Sequence, residues 1–468
     1  MGRISTQRKR TTSDVNDGHA YNKRVRKIHE SATIAEEAPK SDSSESLTEE
    51  VALVDPCCNP DQPVKIQFSD ISAAAFNIRG GIEKTPCTRS NQLSALLDID
   101  LYLKKEFLQV TGSFKERGAR YAMLKMPESE RAKGVIAASA GNHALALCYH
   151  GKQLNIPVTV VMPVFAPLMK ISSCRSYGAT IILKGSNIQK AKEHAMKIGS
   201  EQGLRYINGF DHPDVVAGQG TIGLEILEQV NNVDAVIIPV GGGGLIAGIA
   251  LALKTLKPGI FIVGVESETC PSYQNTMTAG HLVSTNCGSS LADGLAVPTV
   301  GCNAIETSKG LIDKMVTVDE KSIALAILRL IEMEKAIVEG AGAVGLAALM
   351  SNKLPELKGK RVINILTGGN IDTTVLGRTI ERGLAVDGRL IRFDVVVSDR
   401  PGGIAELATQ IAQLGASIKD IFHERAWIST DVFSVRCKVI AETRDAEHVK
   451  ELEAGLRSRY SQVNFKYI

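Results

Sequence analysis

Residues 135–154 read VIAASAGNHALALCYHGKQL and already indicate the class of fold. The first four residues are apolar and include two β-branched side chains, as is typical of a buried strand. Small residues follow at 138–141, and residues 142–154 have the length and composition of a helix. A strand, a short turn and a helix in direct succession predict an α/β fold.

The same alternation continues on both sides of this stretch. Further strands are predicted at residues 158–162, 180–183, 235–240, 262–266 and 361–366, and further helices at residues 188–202, 220–230 and 245–256. Strands that alternate with helices predict a mostly parallel sheet covered on both faces. We expect this arrangement from about residue 67 to residue 384.

The two ends of the chain have other patterns. Residues 1–60 carry basic clusters, then an acidic, serine-rich stretch, and few apolar side chains, so we predict a disordered tail. After a boundary near residues 381–389, the order βαββαβ predicts a small ferredoxin-like module at 385–468. Between them we expect one domain at 61–384, with a smaller subdomain at about 134–211 inserted in a larger one.

Composition narrows the functional class. The chain has 468 residues and a formal net charge of +3, which does not favour nucleic acid or a membrane as the main partner. No apolar run is long enough to cross a bilayer, and no secretory signal is present. The nine cysteines contain no C-x-x-C pair and indicate free thiols rather than a disulfide framework or a zinc site. We therefore expect a cytoplasmic protein.

The first segment with candidate chemistry is Ser113-Phe114-Lys115-Glu116-Arg117-Gly118, which precedes a predicted helical run at residues 119–124. A lysine at the start of a helix is usually a solvated charge. A buried lysine, in contrast, has a lowered pKa and is the nucleophile that a Schiff base requires.

The second segment is the turn Ser139-Ala140-Gly141-Asn142-His143. Free N–H groups and the positive end of the helix dipole suit an anion such as a substrate carboxylate. The alternative is a simple helix cap made by Ser139 or Asn142.

Two further segments follow predicted strands. Gly241, Gly242, Gly243, Gly244 and Leu245 lie between a strand and a helix, where bare N–H groups form a phosphate cradle. The pattern matches neither the dinucleotide motif nor the P-loop, which favours one small phosphate. Thr367-Gly368-Gly369-Asn370 places a hydroxyl where it can face a ring nitrogen; alone it would be a turn.

Together these motifs resemble the fold-type-II pyridoxal-phosphate enzymes, and within them the serine/threonine dehydratases. The resemblance also includes Thr85-Pro86, Met162-Pro163 with Ala166-Pro167 and Lys170, Ala217-Gly218-Gln219-Gly220-Thr221, and Ala292-Asp293-Gly294. The C-terminal module resembles an ACT domain, and Asp399-Arg400-Pro401-Gly402-Gly403-Ile404 matches the turn that binds amino acids at paired interfaces in that family. The resemblance implies two parallel-sheet α/β subdomains, a catalytic domain at 61–384 and a regulatory domain at 385–468.

The resemblance also implies a cofactor and roles. Pyridoxal 5'-phosphate would form an aldimine with Lys115, beside Phe114. Asn142 would bind the ring hydroxyl, Gly241 to Leu245 the phosphate, and Thr367, which is usually Ser in the family, the ring nitrogen. Ser139, Ala140, Gly141 and His143 would surround the substrate carboxylate.

The implied reaction is β-elimination from L-threonine or L-serine, giving 2-oxobutanoate or pyruvate plus ammonia. The sequence does not rank the two substrates. A homo-oligomer, dimer or tetramer, is implied, with a possible amino-acid effector of unknown sign at the C-terminal module.

Three other functions are disfavoured by particular residues. Serine racemases carry Ser where this chain has Ala140, and Ala cannot move the second proton that racemisation needs. The cysteine-synthase branch typically has Thr at His143. An amino-acid sensor without catalytic activity is disfavoured by the intact Lys115, Asn142 and glycine turn.

Many eukaryotic relatives bind a divalent cation through a Glu and an Asp six residues later. In this chain Glu266 matches the Glu, but Ser272 stands at the position of the Asp, so no metal is predicted.

Overall fold

The computed structural model describes residues 55–427 and 432–467. Most of the predicted tail, residues 1–54, lies outside them. From residue 55 the chain is packed: Asp55 is buried, and Asn303 Nδ2 donates to Cys57 O at 2.6 Å. None of the described helices is long and apolar enough to span a membrane.

Fourteen strands are described, and in chain order they are β1 (Cys87–Arg89), β2 (Asp100–Lys105), β3 (Val135–Ala138), β4 (Val158–Met162), β5 (Thr180–Leu183), β6 (Arg205–Tyr206), β7 (Ala235–Pro239), β8 (Phe261–Ser267), β9 (Lys314–Val318), β10 (Arg361–Leu366), β11 (Leu390–Ser398), β12 (Ser417–Glu424), β13 (Ser434–Glu442) and β14 (Val463–Lys466).

The described α-helices are α1 (Phe68–Ile78), α2 (Asn91–Leu97), α3 (Lys115–Lys125), α4 (Glu128–Arg131), α5 (Asn142–Leu154), α6 (Leu168–Ser176), α7 (Ile188–Gln202), α8 (Pro213–Gln229), α9 (Gly244–Leu256), α10 (Ser272–Ala279), α11 (Cys302–Ser308), α12 (Glu320–Glu334), α13 (Gly340–Met350), α14 (Thr373–Val386), α15 (Gly403–Gln413) and α16 (Ala446–Arg459).

Two sheets form the α/β part. The larger has the strand order β1-β2-β10-β7-β8-β9 and is parallel except for β1, and the smaller has the order β5-β4-β3-β6 and is parallel throughout. Every residue of β7 is buried, as expected for a strand covered on both faces. The predicted fold class, α/β with parallel sheets, is confirmed.

The bounds of most predicted elements are close to those observed. β3, β4, β5, β10, α5 and α7 have the predicted bounds, whereas α8 begins at Pro213 rather than near residue 220. His212 Nδ1 accepts from Asp214 N, and Pro213 starts the helix, so the chain is helical seven residues earlier. β2 was not predicted, because its Lys104 reads as a surface residue although it is fully buried.

The C-terminal module is a separate antiparallel sheet of order β12-β13-β11-β14 with α15 and α16. Its element order is the predicted βαββαβ, as in an ACT-like domain. The inward side chains of β11 alternate with outward ones, and Phe393, Val395 and Val397 are buried.

The prediction that all cysteines are free is wrong for one pair. Cys270 and Cys287 form a disulfide, while the other seven are free. Gly288 N donates to Thr269 O at 2.9 Å, so the chain folds back and brings the two thiols together. Neither their spacing of 17 residues nor the local sequence carries a signal for this contact.

Candidate active site

Lys115 is the first residue of α3, four residues before the helical run that the sequence indicated. The backbone just before it is held against the end of β10: Phe114 N donates to Thr367 O at 3.0 Å. Lys115 Nζ donates to Gly209 O at 2.5 Å and lies 5.1 Å from the centre of the Phe114 ring. Burial lowers the pKa of Lys115 to about 8, against the opposing charge of Glu339. A larger fraction of the amine is therefore neutral and nucleophilic near neutral pH.

The loop at residues 207–212 joins the parts of the site. Gly209 O accepts from Lys115, and Ile207 O lies 3.0 Å from His143 Nε2. Asn208 Oδ1 accepts from the N–H groups of Phe210 and Asp211, each at 3.0 Å, which fixes the turn. The local sequence does not reveal the role of this loop, because that role depends on backbone carbonyls.

The turn before α5 has room for a ligand. A Cβ added at Gly141 would meet no atom within 4 Å. Ser139 Oγ accepts from Gly141 N and Ala144 N, each at 3.3 Å, so the predicted cap is present as well. Burial lowers the pKa of His143 to about 3, so its ring is neutral. The N–H groups at the start of α5 face the place where a carboxylate is expected.

Glu339 is a site residue that sequence reasoning missed. Its Oε1 accepts from Asn142 Nδ2 at 2.7 Å, and Asn370 Nδ2 donates to Asn142 Oδ1 at 2.9 Å. Burial, and then the charge of Asp293, raise the pKa of Glu339 to about 7. An acidic residue directly before the wholly apolar helix α13 was the available signal.

Gly241, Gly242 and Gly243 lie between β7 and α9, and Gly244 is the first residue of α9. Packing explains two of the four glycines. A Cβ at Gly242 would lie 2.3 Å from the Phe210 ring, and one at Gly244 would lie 2.0 Å from Phe210 O. Gly243 has φ 92°, which favours glycine. The first N–H groups of α9, including that of Leu245, have no acceptor within the helix and can receive a phosphate.

These groups fit pyridoxal phosphate. The site contains a lysine of lowered pKa, a glycine turn at the start of a helix, and the buried Thr367 at the end of β10. Ser113 Oγ and His143 Nδ1 are buried without a hydrogen-bond partner among the described residues. Such unsatisfied polar atoms are expected at a site that binds a polar group.

Glu266 caps the start of a helix. Its carboxylate accepts from Tyr273 N at 2.8 Å and Gln274 N at 2.9 Å, at the start of α10. Burial raises the pKa of Glu266 to about 7. In residues 55–427 and 432–467, no group of three or more His, Cys, Asp or Glu side chains is arranged to hold a metal.

Comparison with known proteins identifies the family of this chain. Residues 78–368 match the family described as pyridoxal-phosphate dependent enzyme. The chain belongs to this family. As a pyridoxal-phosphate dependent enzyme it uses that cofactor, and Lys115 lies within the matched residues.

Two curated relatives of this pyridoxal-phosphate enzyme match it over nearly their whole length. The L-threonine ammonia-lyase of Thermotoga maritima is 41% identical over 398 residues, which cover 85% of this chain and 99% of the relative. The protein of the same name from Geobacter sulfurreducens is 41% identical and covers 84% and 97%.

Solved structures include both a deaminase and a racemase. The processed form of threonine deaminase isoform 2 from Solanum lycopersicum has a TM-score of 0.65 at 35% identity and covers 70% of this chain and 98% of that chain. Serine racemase from Dictyostelium discoideum has a TM-score of 0.63 at 34% identity, covering 66% and 100%. Fold alone therefore does not separate the two reactions.

Proposed function

We propose that this protein is an L-threonine/L-serine ammonia-lyase that releases 2-oxobutanoate or pyruvate together with ammonia. One observation carries the proposal. The amine of Lys115 and the ring of His143, in the turn before α5, contact the same short loop, at Gly209 O and Ile207 O. A base and an anion-binding turn are thereby brought to one site.

Each part of the site has a task in the reaction. When bound, pyridoxal phosphate withdraws electrons from Cα of the amino acid. Lys115 would hold the cofactor, and its amine would take the proton from Cα. The turn at 139–143 would bind the carboxylate, and the glycine turn before α9 would bind the cofactor phosphate. Asn142, which is hydrogen-bonded to Glu339 and Asn370, would contact the cofactor ring.

Racemisation is the second candidate reaction, because racemases share the fold. It requires a second proton carrier on the face of Cα opposite the base. The methyl group of Ala140 cannot supply or accept a proton, so elimination is favoured. The relatives named L-threonine ammonia-lyase favour L-threonine over L-serine as the preferred substrate.

The assay that tests this function measures 2-oxobutanoate released from L-threonine, and pyruvate and D-serine formed from L-serine. Incubation with L-threonine should release 2-oxobutanoate faster than incubation with L-serine releases pyruvate. Chiral chromatography should detect little D-serine beside pyruvate. Faster formation of D-serine than of pyruvate would assign racemisation instead, and no product from either amino acid would reject both.

We further propose that the C-terminal module binds an amino-acid effector and pairs with a second copy. A cavity of about 250 Å³ is lined by Arg400, Gly403, Glu406 and Arg459, next to the glycine turn that precedes α15. β12 lies at an edge of its sheet and exposes Phe422, a surface suited to another chain. A cytoplasmic location also remains a prediction.

A further inference from the structure

A second cavity in the α/β part, of about 190 Å³, shares no lining residue with the candidate active site. It lies between the loop at residues 80–83, helix α3 and helix α5. The lining side chains used below are Ile82, Glu83, Val110, Arg120, Tyr149 and Gln153.

Arg120 gives this cavity an unsatisfied cation. Its Nε is buried without a hydrogen-bond partner, and its guanidinium forms no ion pair within residues 55–427 and 432–467. Its only hydrogen-bond contact there is from Nη1 to His150 Nδ1, at 3.4 Å. Burial lowers the pKa of Arg120, which means that its charge is poorly solvated. The terminal nitrogens of the guanidinium, which have no carboxylate partner among the described residues, can bind an oxyanion.

Glu83 gives the same cavity a negative charge. Its carboxylate forms no ion pair with any residue that the structure describes. Its backbone is fixed on both sides by the buried Gln109, since Glu83 N donates to Gln109 Oε1 at 3.0 Å and Gln109 Nε2 donates to Glu83 O at 2.8 Å. The side chain of Glu83 is exposed, and its backbone is held by these two hydrogen bonds.

The remaining lining is mixed. Ile82 and Val110 offer apolar surface, and Val110 is 53% exposed. Tyr149 and Gln153 add a hydroxyl and an amide. A free amino acid carries groups that match this lining: a carboxylate for the cation, an ammonium group for the anion and a side chain for the apolar surface.

We propose that this cavity is a second amino-acid site, for a zwitterion with a small apolar side chain. Arg120 binds the carboxylate, Glu83 binds the ammonium group, and Ile82 and Val110 contact the side chain. A simple anion such as phosphate fits less well, because Glu83 would repel it. The proposal goes beyond the lyase function and does not depend on it.

A chain of polar contacts connects this cavity with the active site. His150 Nε2 lies 3.2 Å from Glu116 Oε2, and the other oxygen of Glu116 accepts from Thr111 N. Thr111 O in turn accepts from Asn370 Nδ2 at 2.7 Å. A ligand that draws Arg120 away from His150 therefore acts on the loop before Lys115. An amino acid in the cavity should change the rate of the reaction.

The test measures binding of L-valine to the full-length enzyme with its cofactor bound. In Arg120→Gln and Glu83→Gln, L-valine should bind this site about tenfold more weakly or worse, as expected for loss of a charge-assisted contact. Lys125→Gln removes an exposed charge from the same helix and should leave binding unchanged. Arg400→Gln reports any binding at the C-terminal cavity, and the visible spectrum reports binding at the active site.

Inorganic phosphate separates a zwitterion site from an anion site. Glu83→Gln should weaken binding of L-valine but not of phosphate. If phosphate binds through Arg120 and L-valine does not, the amino-acid proposal is wrong. It is also overturned if Arg120→Gln and Glu83→Gln both fold and bind L-valine as the unchanged enzyme does. In either case release of 2-oxobutanoate would still test the lyase function separately.

Discussion

Among the individual side chains, the amine of Lys115 is strongly affected by its surroundings. Burial lowers its pKa to about 8, and Glu339 limits the shift by its charge. Position in the sequence could identify this lysine only through its neighbours, since a lysine that starts a helix is ordinarily solvated. The tertiary structure around Lys115, including the loop that contains Gly209, partly withdraws the amine from water.

The rate of cofactor uptake should report this pKa. In apoprotein mixed with pyridoxal phosphate, the visible absorption should develop faster as pH rises, with a midpoint near 8, because the neutral amine is the nucleophile. Stopped-flow absorption measures the rate. In Glu339→Gln the midpoint should move lower, because the carboxylate charge no longer favours the protonated amine. A midpoint near 10.5, the usual lysine value, would show that the amine is not desolvated.

Glu339 should make stability depend on pH. Its folded pKa of about 7 lies above the usual 4.5, so the folded state holds a proton that the unfolded state has lost. Stability should therefore fall as pH rises from 4.5 to 7, by up to about 3 kcal/mol in total. Urea unfolding of the apoprotein should show Glu339→Gln gaining stability relative to the unchanged protein over this range. A constant difference between the two would contradict a buried, protonated Glu339.

Thr367 should act through its hydroxyl at the ring nitrogen. Thr367→Ser keeps the hydroxyl and should retain activity, while Thr367→Val keeps the shape and should lose at least about tenfold in kcat with cofactor still bound. Steady-state kinetics together with the visible spectrum separates loss of activity from loss of cofactor. Equal kcat in the Val variant would show that the hydroxyl has no such role.

Among the helices and strands, the turn between β7 and α9 shows what the sequence predicts and what it omits. Four glycines in a row after a strand predict a phosphate turn, and the bounds of α9 differ from the prediction by one residue. The sequence does not reveal that Phe210, about 30 residues earlier in the chain, packs against Gly242 and Gly244. The turn is therefore held from both sides, by its own helix and by the loop that contacts Lys115.

Substitution in this turn should be costly where backbone fills the space. In Gly244→Ala the new Cβ would lie 2.0 Å from Phe210 O, so the loop at 207–212 must move. We expect a loss of about 1–3 kcal/mol in stability and weaker binding of pyridoxal phosphate. Gly259→Ala is the control, since a Cβ there meets no atom within 4 Å. Cofactor titration and thermal unfolding of both variants measure the two properties. Equal cofactor affinity and equal stability in the two variants would show that the turn tolerates a side chain at residue 244.

In the whole molecule, the C-terminal module is joined to the α/β part by a short charged contact. Arg329 Nη1 donates to Asp387 Oδ2 at 3.0 Å, and Arg389 forms an ion pair with Glu332. These residues lie at α12 and at the chain segment between α14 and β11. A movement of the C-terminal module can therefore be transmitted through these ion pairs to α12, a helix that packs on the larger sheet.

Removal of the C-terminal module should abolish regulation by amino acids but preserve catalytic turnover. A chain ended near Gly388 should keep turnover, and an amino acid that alters activity of the full-length enzyme through this module should not alter that of the truncated one. Activity assays with added amino acids and light scattering measure the two properties. If no amino acid affects the full-length enzyme while truncation breaks the oligomer, the module only holds subunits together.

The segments around Lys115, Gly141, the four glycines and Thr367 were predicted as site residues through their resemblance to a family. Local pattern was sufficient for the parallel α/β class and the βαββαβ module. Each of these depends on neighbours within a few residues, where hydrophobic period and turn chemistry act directly. The contacts of Glu339 with Asn142, of Phe210 with the glycine turn, and of Cys270 with Cys287 were settled only by the tertiary structure. They join residues far apart in the chain, and a lone acidic, aromatic or thiol side chain carries no local sign of its partner. Burial, which sets the pKa values of Lys115 and Glu339, likewise arises only when the two sheets and their loops are packed together.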